Sequence, residues 1–125
     1  MSGLSDARTE LATALETVPD LRVYPEPNGT FATPCIRLHP AGPWLAPSVL
    51  AAGNRTQRWE VWCVLGRMDS TANYDELETM VSNVTDALDR LPGWSGIMWD
   101  RPNPTDMGGT KYLAVRGIIE TKKGV

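Results

Sequence analysis

Between Thr56 and Leu65, apolar Trp59, Val61, Cys63 and Leu65 alternate with Arg58, Glu60, Trp62 and Val64, and no other stretch limits the fold so tightly. A period of two sends successive side chains to opposite faces of a strand, so one face here is wholly apolar and must be covered. The second face starts polar and turns apolar at Trp62 and Val64. That change predicts cover over its far end, by a helix or by another subunit. A chain of 125 residues is long enough for one hydrophobic core and too short for two, so a single domain spanning 1–125 is expected. With 42% hydrophobic and 22% charged residues, the chain has the composition of a globular protein.

The elements around this strand follow from periodicity and breakers. Leu4, Ala7, Leu11, Ala14, Leu15 and Val18 lie at helical spacing, with Ser5 placed to cap the helix and Pro19-Asp20 to stop it. A short strand is expected at Leu21 to Tyr24. A second is expected from Pro34 to His39, with Ile36 and Leu38 on one face, Cys35, Arg37 and His39 on the other, and Pro40 as its end. Residues Ala41 to Asn54 combine Gly42, Pro43 and Pro47 with Trp44, Leu45, Val49 and Leu50. This is too apolar for a solvent loop, so it should fold over the core or touch a partner.

The longest helix is expected from Asn73 to Leu91. Tyr74, Leu77, Val81, Val84, Leu88 and Leu91 form its stripe, Asn73 with Glu76 its capping box, and Pro92-Gly93 its end. Strands near Ile97 to Asp100 and from Lys111 to Thr121 follow, and Arg101 to Thr110, with two prolines and Gly108-Gly109, reads as an exposed hairpin connection. The fold class is therefore α+β, a single mostly antiparallel sheet with two amphipathic helices packed on one face.

The residues offer little to reaction chemistry. The one histidine, His39, shares a strand face with Cys35, and Cys63 on an adjoining strand would complete a Cys-His-Cys set. Strand positions four apart stand about 13 Å from each other, too far for both to bind one zinc ion. The two cysteines read as small buried hydrophobes. The carboxylates Asp75, Glu76, Glu78, Asp86 and Asp89 fall on helix positions expected to face water or the helix dipole. Met107-Gly108-Gly109-Thr110 lacks the ending of a phosphate loop and precedes a strand, so it reads as a turn. No catalytic residue, cofactor or metal site is expected.

A net charge of −3 without a basic patch speaks against wrapping nucleic acid. No apolar window reaches the length of a membrane span, and the first residues lack a leader pattern, so a cytosolic setting is expected. Five tryptophans exceed what core packing needs in a chain this size. Trp is a favoured interface anchor, which makes Trp44 and Trp62 candidate contact residues, with Leu45 and Arg58 beside them and Met107 and Thr110 in the late connection.

The chain resembles the tail terminator proteins of long-tailed, siphovirus-type bacteriophages. The likeness runs through Leu4-Ser5-Asp6-Ala7 and Val18-Pro19-Asp20-Leu21-Arg22-Val23-Tyr24, then the strand Arg58 to Arg67, the turn at Asp69 and the helix with Tyr74, Leu77 and Leu88. It ends on the strand Tyr112 to Glu120. The resemblance implies a structural virion protein without enzymatic activity, assembled in the host cytoplasm. It would form a hexameric ring that caps the tail tube, stops tube polymerisation and joins tail to head. The implied partners are further copies of itself, the tail tube protein and a head-tail connector protein, with genomic DNA passing through unbound. Six touching spheres of this chain's size leave a hole about 36 Å across, wide enough for a duplex. Six copies carry about −18, which opposes gripping phosphate. Other neck, tail-completion or head-closure connector subunits share much of the pattern, and a small ligand-binding or hydrolytic domain is the reading from a different class.

Overall fold

The structure, a computed structural model, describes residues 4–19, 21–25, 31–47, 55–68 and 74–121. Helix α1 (Leu4–Leu15) leads to the short strand β1 (Arg22–Tyr24), then to two long strands, β2 (Cys35–Pro47) and β3 (Arg55–Arg67). Helix α2 (Tyr74–Asp89) follows, and the chain closes with β4 (Met98–Trp99), β5 (Asn103–Met107) and β6 (Thr110–Glu120). The strands form one six-stranded sheet in the order β1-β2-β3-β6-β4, with β5 also paired to β6. Only β1 and β2 run parallel; every other pair is antiparallel, which makes the fold α+β. Strands β4 and β5 lie end to end along one edge of β6, at Gly117–Ile118 and at Thr110–Ala114.

The alternation that dominates the sequence sorts the sheet into two sets of side chains. Ile36 and Leu38 from β2, Trp59, Val61 and Cys63 from β3, and Leu113, Val115 and Ile119 from β6 share one cluster with the helices. From α1 that cluster takes Ala7, Leu11, Ala12 and Leu15, and from α2 it takes Leu77, Met80, Val84, Ala87 and Leu88. The α2 stripe is therefore turned from the one expected: Met80 and Ala87 are core residues, while Tyr74, in the first turn, is 57% exposed. Two indoles tie later segments to the helices. Trp94 Nε1 donates to Glu10 Oε1 at 2.7 Å and Trp99 Nε1 to Thr85 Oγ1 at 2.8 Å, so the buried Trp94 ring and the half-buried Trp99 ring each have their polar edge satisfied.

Helix α1 differs from expectation at its end and at its cap. Helix α1 ends at Leu15, three residues early, because Pro19 bars helical geometry at Val18; the chain tightens there into i→i+3 bonds, Thr17 N to Ala14 O and Val18 N to Leu15 O. It also begins at Leu4, which puts Ser5 inside the first turn and not ahead of it. The capping residue expected for α2, Asn73, lies outside the described residues, as do Ser48 to Asn54.

The largest correction concerns Pro40, which does not end β2. The strand runs on to Pro47, with its register to β3 shifting between Pro40 and Leu45. A proline is excluded from a central strand because it cannot donate to a ladder. Beyond Arg37, however, β1 has ended and among the described residues β2 has no partner on that side, so Pro40 interrupts no second ladder, and the shift of register to β3 follows directly after it. Arg101 to Thr110 likewise is more than a connection: Asn103 to Met107 is strand β5, and only Gly108-Gly109 turns. Both glycines have positive φ, 63° and 85°, as a two-residue hairpin of this hand requires. The carboxylate of Asp106 accepts from Gly109 N at 2.9 Å.

Candidate functional site

The second set of sheet side chains has a different character at each end. At one end Cys35 on β2, Val64 on β3 and Ala114 on β6 form a small buried cluster, covered by Tyr24, Phe31, Trp62, Met107 and Tyr112. Register explains the grouping, since Cys35 pairs with Val64 and Val64 with Ala114, placing the three in a row across the sheet. Arg37, buried beside them, stacks its guanidinium 4.3 Å from the Phe31 ring centre and donates from Nη1 to Met107 Sδ at 3.6 Å. Phe31 in turn meets Tyr112 at 5.2 Å and Tyr24 at 6.4 Å. The cover expected over this end of the face is thus made by the chain's own aromatic, arginine and methionine side chains.

The other end is charged. Arg58 meets Glu120 at 3.5 Å, and Arg116 reaches both Glu60 at 3.5 Å and Asp100 at 3.4 Å. Trp62 Nε1 donates to Glu60 Oε1 at 2.8 Å, and His39 lies with its ring 6.2 Å from that of Trp62. Burial pushes the His39 pKa below the ordinary imidazole value, and the neighbouring Arg37 lowers it further against an opposing pull from Glu60. The imidazole is therefore neutral near pH 7, and its Nε2 has no hydrogen-bond partner among the described residues. Next to this row Met98 stands 78% exposed, opposite Ile118 across the β4–β6 pair.

The expected contact residues are not brought together at one place. Trp44 and Leu45, 39% and 46% exposed, sit on the far part of β2, where the Trp44 ring rests edge-on against Trp59 at 5.5 Å. Arg58 connects to that region through its Nη1, which donates to Gly42 O at 3.2 Å. Trp62 is half-buried on the charged row, Met107 is drawn onto the buried end by Arg37, and Thr110 opens β6 just past the Gly108-Gly109 turn. No family model and no curated protein matches the chain. What these residues can do is therefore argued from their geometry alone.

Cys35 and Cys63, imagined as two corners of a metal set, are free thiols on opposite sides of the sheet, Cys35 in the small cluster and Cys63 in the helix-side core. Burial raises the Cys35 pKa to about 11, against a smaller lowering by Arg37, and raises that of Cys63 further, so both are protonated near neutral pH and poorly nucleophilic. Among the described residues no group of three or more His, Cys, Asp or Glu could hold a metal ion, and no helix is long and apolar enough to cross a membrane. A shallow groove of about 390 Å³ runs between the end of α1 and the first turns of α2. Val18, Leu21, Leu65 and Met80 floor it, and Asp75 and Glu76 stand at its rim.

Sequence reasoning missed Arg37, Met98 and Arg116. The alternation of β2 had placed Arg37 on the right face, but an arginine in a strand reads as solvent-facing unless the aromatic rings that will cover it are known. Met98 belongs to a two-residue strand, too short for any period to show.

Proposed function

We propose that the chain is a structural assembly subunit, a tail terminator of a long-tailed bacteriophage, that closes with further copies into a hexameric ring, caps the tail tube and joins tail to head. The observation that most supports this reading is the placement of Trp44 and Leu45. Two consecutive large apolar residues stand exposed on an extended strand that continues past its β1 neighbour. An indole anchored edge-on by a buried second indole has little rotamer freedom left to lose, which is what an interface anchor needs. The pairing of Arg58 and Arg116 with carboxylates leaves a face without excess positive charge, compatible with a ring through which DNA slides.

Two measurements test the reading. Size-exclusion chromatography with light scattering, on protein alone and after mixing with tail tubes, should give a species of six protomer masses. Trp44→Ala should reduce its yield, since truncating a central Trp anchor costs about 2 kcal/mol or more of binding. Virions made without the protein should carry tails of irregular length. Tails of uniform length in its absence would end the proposal.

A further inference from the structure

In a flat sheet β2 and β5 would stand three strand spacings apart, about 14 Å. Yet Arg37 on β2 and Met107 on β5 meet at 3.6 Å. The two side chains must therefore lie over β3 and β6, above Val64 and Ala114, and form a roof over the small cluster. Apart from that contact, the strand that carries Met107 has only local backbone support. Strand β5 has five residues, pairs only with β6 among the described residues, is largely exposed, and turns on two glycines of positive φ. Beneath it three side chains are fully buried, Cys35, Val64 and Ala114, whereas the helix-side cluster draws on both helices and three long strands.

We infer that β5 is a clasp, latched by Met107 on Arg37, that opens from and closes onto β6 over the Cys35–Val64–Ala114 cluster while β6 and the helix-side core stay folded. An element with few buried apolar contacts and exposed backbone bonds opens at a lower free energy than the whole molecule. Opening withdraws Met107 and bares an apolar strip bordered by the Arg37 guanidinium, a surface that the closed form hides. The inference stands apart from the ring proposal, because it concerns one chain on its own.

The two cysteines lie on the two sides and report on them separately. In native buffer with iodoacetamide, the thiolate sulfur attacks the methylene carbon, iodide leaves, and the thiol proton passes to buffer; peptide mass spectrometry then gives the rate at each cysteine. Cys35 should be modified at least about 100-fold faster than Cys63, since only its exposure needs no global unfolding. Its rate should also depend weakly on added urea, as little surface is exposed by a local opening. Met107→Ala should accelerate Cys35 about 10-fold and leave the Cys35-to-Cys63 difference wider than in the parent. Equal rates at the two cysteines, or a Cys35 rate with the urea dependence of global unfolding, would overturn the clasp. So would an unchanged Cys35 rate in Met107→Ala. The urea dependence is read on the parent protein, so it decides the matter even if that variant fails to fold.

Discussion

Trp59 and Trp62 are three residues apart on β3 and point to opposite sides of the same sheet, and their surroundings share almost nothing. Trp59 is buried among helix-side residues, with its Nε1 3.5 Å from Gln57 Oε1. Trp62 is half-buried and donates to a carboxylate that is itself engaged by Arg116. On the Trp59 side the cover is brought from far along the chain, by α1 and α2. On the Trp62 side it consists of neighbouring strand side chains and the ring of Phe31. Cover made of whole helices stabilises through many buried groups at once, whereas a roof of single side chains stabilises through each of them separately, which leaves the second side free to be an interface or to move.

The contrast should show first in unfolding free energies. Trp59→Ala removes a large ring from the deep side and is expected to cost about 3–5 kcal/mol in urea or thermal unfolding. Val64→Ala, on the other side but equally buried, removes the equivalent of two methylenes and should cost about 1–2 kcal/mol. Should Val64→Ala prove as costly as Trp59→Ala, the small cluster is no satellite and the two sides fold as one. Gly117→Ala tests the deep side from β6, because a Cβ there would lie 2.6 Å from Ile97 Cδ1 and 2.7 Å from Trp99 Cε3, both packed on the helix-side cluster. Overpacking of this kind costs about 1–3 kcal/mol. It should push the Trp99 indole off Thr85, visible as a shift in tryptophan emission before any global unfolding.

The side facing the helices was largely legible from sequence because periodicity writes it directly. Ile36 with Leu38, and Trp59, Val61 and Cys63, are recoverable from alternation alone. The stripe of α2 was less legible: Tyr74 and Met80 are both apolar and both near the right phase, and only the position of the sheet decides that Met80 enters. The roof over Cys35 could not be read, since it joins Phe31, Arg37, Met107 and Tyr112 from separate segments, and no local pattern links residues whose contact depends on strand order. Pro40 misled for a related reason. A proline ends a strand only where its neighbour needs a donor, and whether a neighbour is present is a property of topology.

A pH titration sharpens the comparison, because the only imidazole lies on the Trp62 side. Its pKa in the folded chain is lowered, mainly by burial, from the ordinary 6.5, so the unfolded chain binds more protons below that value. Stability should be level above about pH 6.5 and fall as pH drops through the region below it. One imidazole limits the slope to about 1.4 kcal/mol per pH unit. His39→Gln should flatten the curve between about pH 6.5 and 5, above the main carboxylate titrations. A parent protein whose stability rises over that interval on acidification would mean that Glu60 outweighs burial and that this side is wetter than its geometry indicates.

The smallest effect is expected at Arg116, which bridges Glu60 and Asp100 at the charged end of the Trp62 side. Its side chain is 41% exposed and that of Asp100 54%, so water and salt screen both pairs. Exposed pairs of this kind contribute about 0–1 kcal/mol, and Arg116→Gln should therefore lower stability by less than about 1 kcal/mol, with the difference shrinking in high salt. A neutral variant also leaves Glu60 and Asp100 without their cation, which makes the row more negative and should matter more to association than to folding. If the variant folds almost as stably as the parent yet assembles with a changed salt dependence, the charged row acts in contact with a partner. A stability loss of several kcal/mol that salt does not reduce would instead show Arg116 to be part of the structural cover, and the division between a deep side and a lightly covered side would have to be redrawn around it.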